Sequence, residues 1–463
     1  MSIVSIIGSG TWGTALANLL CKAGHDVTLW SAIPEEIEYI RKNHKHPNLK
    51  DTRILEDIKL TTSIEEAINQ KEFLVMAVPS IYVRSTTQKI APYLNNNQII
   101  VDVAKGIESN TLHTMSEIIL EEIQKYLPDY DYGHIVALSG PTHAEEVAIG
   151  LPSSIISASV DNDIAIRVQE LFTTDFMRVY TNNDIKSVEL CGALKNIIAL
   201  GAGISHGLGY GDNATAALIT RGIHEISRLG VSMGCPIYTF YGLAGVGDLI
   251  VTCTSLHSRN NLCGMYIGQG LSVKEAIDKV GMVVEGINAL DAAYSLSLVY
   301  SCELPIIKGV YDIVKFNVDP KEMVRKLYNR KNKPEMPKSI IELSNLNEIN
   351  KDKVFVFNVF DRISYEDIDL LNKAKTKDEC IIVILPDDDF LEAYSIKHEH
   401  SYQERSKMVE SLKMVDLIIS IHSIDAIYDQ YMTYHVGSLM ASENYKNILD
   451  QTNLNINYVQ KRP

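Results

Sequence analysis

The sequence lacks any excess of positive charge: 43 Lys and Arg stand against 58 Asp and Glu, a formal net charge of −15. That balance argues against nucleic acid or an anionic membrane as the main partner, although a local anion site needs only a few cations. Behind Met1 there is neither a basic n-region nor a small-residue cleavage site, so SIVSIIGSG reads as a strand rather than a signal peptide. No stretch approaches the roughly 20 apolar residues of a membrane-spanning helix. The seven cysteines show no metal-like pairing. They read as reduced, mostly buried thiols of a cytoplasmic protein, and no metal site is expected. What remains is a soluble composition of 463 residues, 46 % hydrophobic and 22 % charged, with mean hydropathy near zero. That is enough for two or three domains at roughly 100–200 residues each.

The opening reads as strand, glycine turn, helix, strand. Ile3–Ile7 is a short apolar strand, Ala15–Ala23 a helix that Gly24 can cap, and Val27–Trp30 a second strand. Gly8, Gly10 and Gly13 have G-x-G-x-x-G spacing, which permits a tight turn, close backbone approach to a pyrophosphate, and tight helix–strand packing. A carboxylate at the end of the second strand favours NAD, an arginine NADP. Ser31 and Ala32 stand there, Glu35 and Glu36 lie slightly too far along, and Arg41, Lys42 and Lys45 lie further on. Spacing alone does not choose between the two cofactors. Three further runs, Phe73–Ser80, Gln98–Glu108 and His134–Glu146, are apolar strands ending in small or polar residues, where ligands gather in an open parallel sheet. Lys105 and the group Ser139, Gly140, Pro141 and Thr142 close two of them.

From about Ile185 the pattern turns helical. In VELCGALKNIIALGAG, Lys195 is the one charged residue between Leu190 and Ile204, and burying an ammonium costs on the order of several kcal/mol unless it is paired. Glu189 and Asp248 are the candidate partners. In NATAALITRGIHEISRLG, Ile219, Ile223 and Ile226 share one face, and Arg221, Glu225 and Arg228 are placed to form ion pairs on another. Asp248 follows a glycine-rich turn, and Ser258, Arg259, Asn260 and Asn261 form a cluster suited to a phosphate.

GSGTWGTALA, the Lys-Gly of AKGIE, SGPTHAEEVAIGLP, GALKNIIALGAGISHGLGYGDNATAALITRG, GLAGVGDLIVTCTSLHSRN and VVEG occur in this order over about residues 1–330. Together they resemble the NAD(P)-dependent sn-glycerol-3-phosphate dehydrogenases. The resemblance implies a Rossmann doubly wound α/β domain (1–185) and an all-helical substrate domain (186–330), with the active site between them. It implies reversible reduction of dihydroxyacetone phosphate to sn-glycerol 3-phosphate, feeding glycerophospholipids or glycerol-phosphate polymers, with Lys195 as proton donor and acceptor. Lys105, Gly140, Thr142, Asp248, Ser258, Arg259 and Asn260 would surround the substrate, Lys105 and Asp248 sharing in catalysis. Gly8, Gly10, Thr11, Trp12, Gly13, Lys105, Ala144, Arg259, Val283 and Glu285 would lie along NAD or NADP. A homo-oligomer is expected. The rivals are a Rossmann dehydrogenase of another hydroxy acid and a binding scaffold.

Residues 331–350 are polar and read as a linker. Strand and helix patterns then alternate again (VFVFNVF, EDIDLLNKAK, CIIVILP, QERSKMVESLKM, DLIISIH), a small parallel α/β domain over 351–463. Phe360-Asp361, Leu370, Leu371, Tyr402, Glu404, Arg405 and Val415-Asp416 resemble the glycerol-phosphate and related cytidylyltransferases. That implies a nucleotidyltransferase-like fold. The family's His-x-Gly-His signature is read here at Ser364-Tyr365-Glu366-Asp367, with both histidines replaced, and the chain stops at NYVQKRP where the family continues. A noncatalytic domain for assembly or regulation is expected, an active fused transferase being the alternative. His398, Glu399 and His400 and the run Asp387–Asp389 read as exposed charged loops.

Overall fold

The computed structural model describes residues 1–255, 257–330, 352–375, 379–412, 414–434, 436–452 and 454–459. They fall into two compact units, Met1–Arg330 and Lys331–Pro463. The linker expected over 331–350 lies outside the described residues.

The first unit opens with strands β1 (Ile3–Ile7), β2 (Asp26–Trp30), the short pair β3 (Lys45–His46) and β4 (Leu49–Arg53), then β5 (Lys59–Thr61), β6 (Phe73–Met76), β7 (Ile99–Asp102), β8 (Ile135–Ser139), β9 (Ser153–Ala158) and β10 (Met177–Asn182). Eight of them form one sheet in the order β10-β9-β8-β7-β6-β1-β2-β5. β1 lies between β2 and β6, parallel to both, so the chain reverses direction across the sheet at β1. The crevice at such a switch point is where an open α/β sheet takes its ligand. Central strands such as Phe73–Met76 and Ile99–Asp102 are buried at every residue, which is why they read as continuous apolar runs. The sheet is not wholly parallel: β8 and β9 pair antiparallel, Ala137 opposite Ala158. β9 and β10 had not been legible as strands. β10 alternates buried and exposed residues at the edge, and β9 opens on two serines. The first helix is Thr11–Lys22, four residues earlier than the apolar pattern placed it, because Thr14 N–H already bonds the Gly10 carbonyl at 2.9 Å.

The second part of this unit is helical and is built around Ile185–Gly207, a helix of 23 residues. Contrary to expectation, it is long and apolar enough to cross a bilayer by length and composition, with mean hydropathy 1.3, but the whole of that window is buried within the protein. Its partner Arg259–Gly268 touches it backbone to backbone. A Cβ on Gly203 would come within 2.0 Å of the Asn261 carbonyl oxygen, and one on Gly264 within 2.1 Å of that of Leu200. Gly207 and Gly268 make equally close approaches one turn further on. This contact sets the N-terminus of Arg259–Gly268 beside the middle of the long helix.

The ion pairs expected within the helix Asp212–Ser232 do not form around Glu225. That side chain is buried and accepts the N–H groups of Ile306 (2.8 Å) and Ile307 (3.2 Å), the open end of the helix Pro305–Phe316. Burial pushes its carboxyl up to about 7, against the pull of those N–H groups.

The second unit holds β11 (Lys353–Phe357), β12 (Cys380–Pro386), β13 (Leu417–Ile421), β14 (Ser438–Ser442) and β15 (Ile456–Val459). All are parallel, in the order β13-β12-β11-β14-β15. Phe355 and Phe357 enter one apolar layer, Val354 and Val356 the other, so both faces of the sheet are covered. β14 and β15 are not legible from sequence because SLMAS and INYV are short and interrupted by serine and asparagine, so neither makes a continuous apolar run. Arg405 is fully buried. It donates to the carbonyls of Val359 and His400 (both 3.1 Å) and to Asp388 (2.8 Å).

Candidate active site

Three charged side chains converge in the first unit. Lys195 lies mid-helix and is 6 % exposed. Its Nζ donates to Asp248 Oδ1 at 2.5 Å and to Thr252 Oγ1 at 2.6 Å. Lys105, in the loop after β7, donates to the other oxygen of Asp248 at 2.6 Å and to the Gly140 carbonyl at 3.3 Å. One carboxylate therefore holds two ammonium groups, and it does so inside the protein, since Asp248 is fully buried. Of the two partners open to Lys195 from sequence, Asp248 is the one it takes. Glu189 instead accepts Ser116 N–H and Oγ–H.

The local sequence explains the convergence. Asp248 opens the helix Asp248–Thr254 directly after the glycine-rich turn, and Thr252 follows one turn later on the same face. Thr252 was not singled out from sequence; its i+4 spacing from Asp248 was the available signal. Gly192, one helical turn before Lys195, leaves room for the stem of Lys105, since a Cβ there would lie 3.3 Å from Lys105 Cγ. Asp102 at the end of β7 accepts Ala104 N–H and shapes the turn that carries Lys105. Burial, reinforced by Glu189, drives its carboxyl well above the usual range.

The electrostatics follow from this geometry. Burial pushes the Lys195 ammonium down to about 8; Asp248 opposes that shift and Lys105 adds to it. Burial works against the charge of Asp248, but Lys105 and Lys195 outweigh it and hold the carboxyl below its ordinary value. A lysine at about 8 exists in both protonation states near neutrality, which suits proton transfer in either direction.

The remaining sequence candidates divide. Thr142 bonds the Gly140 carbonyl that Lys105 also contacts, at 3.3 Å, and so belongs to the cluster. Arg259 is exposed and makes no ion pair among the described residues, leaving its guanidinium available to an anion. Ser258 caps its helix by accepting Asn261 N–H at 3.2 Å. Asn260 is committed to structure: its amide donates to Asn196 at 2.9 Å and accepts Gly286 N–H at 2.9 Å. It thereby ties the Arg259 helix to the residue next to Lys195. Glu285 accepts both Ser80 N–H at 3.0 Å and Ser80 Oγ–H at 2.5 Å, joining the helical part to the loop after β6. Val283 is half-buried just before it. Trp12 and Ala144 pack against one small cluster of Ala15, Leu49 and Ala148, which brings two cofactor candidates together.

The glycine loop fits a dinucleotide. Gly8 has φ +125° and a Cβ there would strike the Ala77 carbonyl oxygen at 2.6 Å, while one on Gly13 would lie 2.1 Å from the Gly8 carbonyl oxygen. Gly10, by contrast, faces open space. The helix Thr11–Lys22 has no side-chain cap at its N-terminus, and the buried Thr11 Oγ1 has no partner among the described residues. Open backbone N–H groups and an orphan hydroxyl at a helix N-terminus suit a pyrophosphate.

Comparison with known proteins agrees with this arrangement. Residues 3–165 match the family model described as NAD-dependent glycerol-3-phosphate dehydrogenase N-terminus, and residues 184–325 match that described as its C-terminus. The chain is 51 % identical over 340 residues to glycerol-3-phosphate dehydrogenase [NAD(P)+] 2 of Lactobacillus delbrueckii subsp. bulgaricus, covering 73 % of this chain and all of that protein. It is 47 % identical to the Fusobacterium nucleatum glycerol-3-phosphate dehydrogenase [NAD(P)+], over 72 % of this chain and 98 % of that one. The crystal structure of glycerol-3-phosphate dehydrogenase from Coxiella burnetii superposes with a TM-score of 0.66 at 32 % identity, over 71 % of this chain and 99 % of that one. The Rossmann-like sheet with its glycine loop, the helical part that buries Lys195 against Asp248, and these relatives place the chain in the NAD-dependent glycerol-3-phosphate dehydrogenase family, as an oxidoreductase that uses NAD(P).

Proposed function

We propose that the first unit reduces dihydroxyacetone phosphate to sn-glycerol 3-phosphate, reversibly, with Lys195 as the general acid and base. The carrying observation is a lysine buried mid-helix, bonded to Asp248 and Thr252, at about 8. When bound, the reduced nicotinamide supplies the hydride for the carbonyl carbon. Lys195 gives its proton to the carbonyl oxygen as negative charge develops there, and Lys105 adds a second positive charge to the same region. Asp248 keeps both ammonium groups in place and prevents Lys195 from losing its proton too early. In the oxidation direction neutral Lys195 takes the hydroxyl proton. Arg259, without a carboxylate partner, is the candidate fork for the phosphate.

The test is the rate of NADH and NADPH oxidation with dihydroxyacetone phosphate in wild type, Lys195→Ala and Arg259→Ala. Lys195→Ala is expected to lose about 10²–10⁴-fold in kcat while still binding the reduced cofactor. Arg259→Ala is expected to raise KM for the phosphorylated substrate. Unchanged kcat in Lys195→Ala would remove the acid/base assignment. We propose that the protein is a cytoplasmic homo-oligomer. Sedimentation of the full chain tests the second part, and a monomer would count against it.

For the second unit we propose a noncatalytic, cytidylyltransferase-like domain serving assembly or regulation. The parallel order β13-β12-β11-β14-β15 supports a nucleotide-binding type of sheet. A cavity of about 220 Å³ at the carboxyl ends of β11 and β14 is lined by Asp361, Glu366, Asp367 and Asp369 against Arg362 and Lys397. Ser364 and Asp367, which stand in the signature segment, are spent on a capping box for the helix Tyr365–Ala374, and Asp367 also accepts the Asn358 amide at 2.5 Å. Acids in that place repel a triphosphate. His400 and Asp388, set apart from sequence as loop residues, are likewise engaged, with Asp361 (3.3 Å) and Arg405 (2.8 Å).

A further inference from the structure

The second strand of the dinucleotide site ends at Trp30 and is followed by Ser31 and Ala32, neither of which offers a ribose hydroxyl a carboxylate to donate its hydrogen bond to. Glu36 takes that place by folding back. Ser31 Oγ accepts Ile33 N–H at 3.2 Å, which closes a tight turn, and Pro34 starts the helix Pro34–Asn43 immediately afterwards. Glu36 therefore falls in the first helical turn. Its Oε2 accepts Ser31 Oγ–H at 2.7 Å and also the hydroxyl of Ser9, which lies between Gly8 and Gly10. One carboxylate thus bridges the glycine loop and the end of β2. Four residues separate Ser31 from Glu36, and the turn removes that distance, so the glutamate is not too far along after all.

In a βαβ dinucleotide site the pyrophosphate lies at the first helix N-terminus and the adenosine ribose lies toward the end of the second strand. We propose that Glu36 makes this site selective for NAD(H), whose ribose carries a free 2′-hydroxyl, over its 2′-phosphorylated counterpart. The inference rests on the dinucleotide reading of the glycine loop. A free hydroxyl can donate to Glu36 Oε1, which has no partner among the described residues. A 2′-phosphate would bring about two negative charges against the carboxylate. The two hydroxyls able to donate to that phosphate, Ser9 and Ser31, are already turned to Glu36. Among the described side chains, the cations that follow do not form a phosphate clamp. Arg41 pairs with Glu38 and donates to the Leu60 carbonyl at 3.3 Å, and Arg53 pairs with Glu56 at 2.6 Å. Lys42 and Lys45 are exposed. His46 lies close enough to feel Glu36, but burial pushes its imidazole below the ordinary range, leaving it neutral at pH 7.

The test is calorimetric titration of the full-length chain with NADH and with NADPH, without substrate, in wild type and Glu36→Gln. Wild type is expected to bind NADH about tenfold or more tightly than NADPH, the effect of one like-charge contact at a partly exposed site. In Glu36→Gln the ratio is expected to shrink to within about threefold, mostly through tighter NADPH binding. Equal binding by wild type, or a Gln variant that weakens both ligands alike and keeps the ratio, would overturn the proposal. Binding of neither ligand would overturn the dinucleotide reading and this inference with it, whereas NADPH preferred by wild type would leave the reading standing and sink the inference alone.

Discussion

Replacing Asp248 by Asn removes one charge and keeps the side chain's shape, leaving two ammonium groups around a neutral amide. Both contacts are short, 2.5 Å to Lys195 and 2.6 Å to Lys105. At an effective dielectric of about 20, opposite charges about 4 Å apart attract by about 4 kcal/mol. One pKa unit corresponds to about 1.4 kcal/mol. Loss of the carboxylate is therefore expected to move Lys195 from about 8 downward by roughly 2–3 units. In the reduction direction the protonated lysine is the active form. Wild-type kcat/KM is then level on the acid side and falls as pH rises through about 8. In Asp248→Asn the same fall is expected about 2–3 units lower, which near the wild-type midpoint costs about 10²-fold or more. The assay is initial-rate NADH oxidation with dihydroxyacetone phosphate across the pH range at constant ionic strength, with circular dichroism and NADH titration on both proteins. The position of the alkaline limb carries the test, because Asp248 contributes to the absolute rate in other ways. A limb that stays in place, or moves to higher pH, refutes the reasoning.

Gly203→Ala is expected to destabilise the first unit by about 3 kcal/mol or more, because its Cβ meets backbone at 2.0 Å; a melting temperature within a degree of wild type would contradict the helix contact. Gly10→Ala faces open space, so it is expected to melt like wild type while losing about tenfold or more in NADH affinity, and unchanged affinity would count against the pyrophosphate cradle. Glu225→Ala strands the Ile306 and Ile307 N–H groups in the core and is expected to cost about 1–3 kcal/mol, read as a fall of a few degrees that Glu225→Gln partly restores; no fall would show that the cap is dispensable. Millimolar CTP with Mg²⁺ is expected to leave every melting transition of the full chain in place, and an upward shift of several degrees would show a nucleotide site and contradict the noncatalytic proposal.

Much of the dehydrogenase half was legible because its signals are local. Within the glycine spacing, Gly8 and Gly13 state a backbone requirement that no other residue meets, at φ +125° and against a carbonyl at 2.1 Å respectively. A lysine in an apolar run states an energetic one: it must be paired inside. The change from strand to helix near Ile185 appears as a change of period. β9, β10, β14 and β15 were not legible, since polar residues such as Ser153, Ser154, Arg178, Ser438 and Asn457 break their apolar runs and leave little to distinguish them from loops. In the second unit, the alternation of strand and helix patterns could be read directly, but the use of Asp367 for capping and for Asn358 could not.

By itself, then, the sequence determined which chemistry was possible: a glycine loop for a pyrophosphate, an ammonium set in an apolar run, a guanidinium beside hydroxyl and amide donors, and a second α/β domain. Tertiary structure alone decided who meets whom. It gave Lys195 to Asp248 rather than Glu189, turned Glu225 from a surface ion pair into a buried helix cap, spent Asn260 on Asn196 and Gly286, and folded Glu36 back onto Ser9 and Ser31. Those outcomes depend on contacts between segments far apart in the chain. Burial makes each unpaired polar group costly, so the packed structure selects partners that no local pattern can rank.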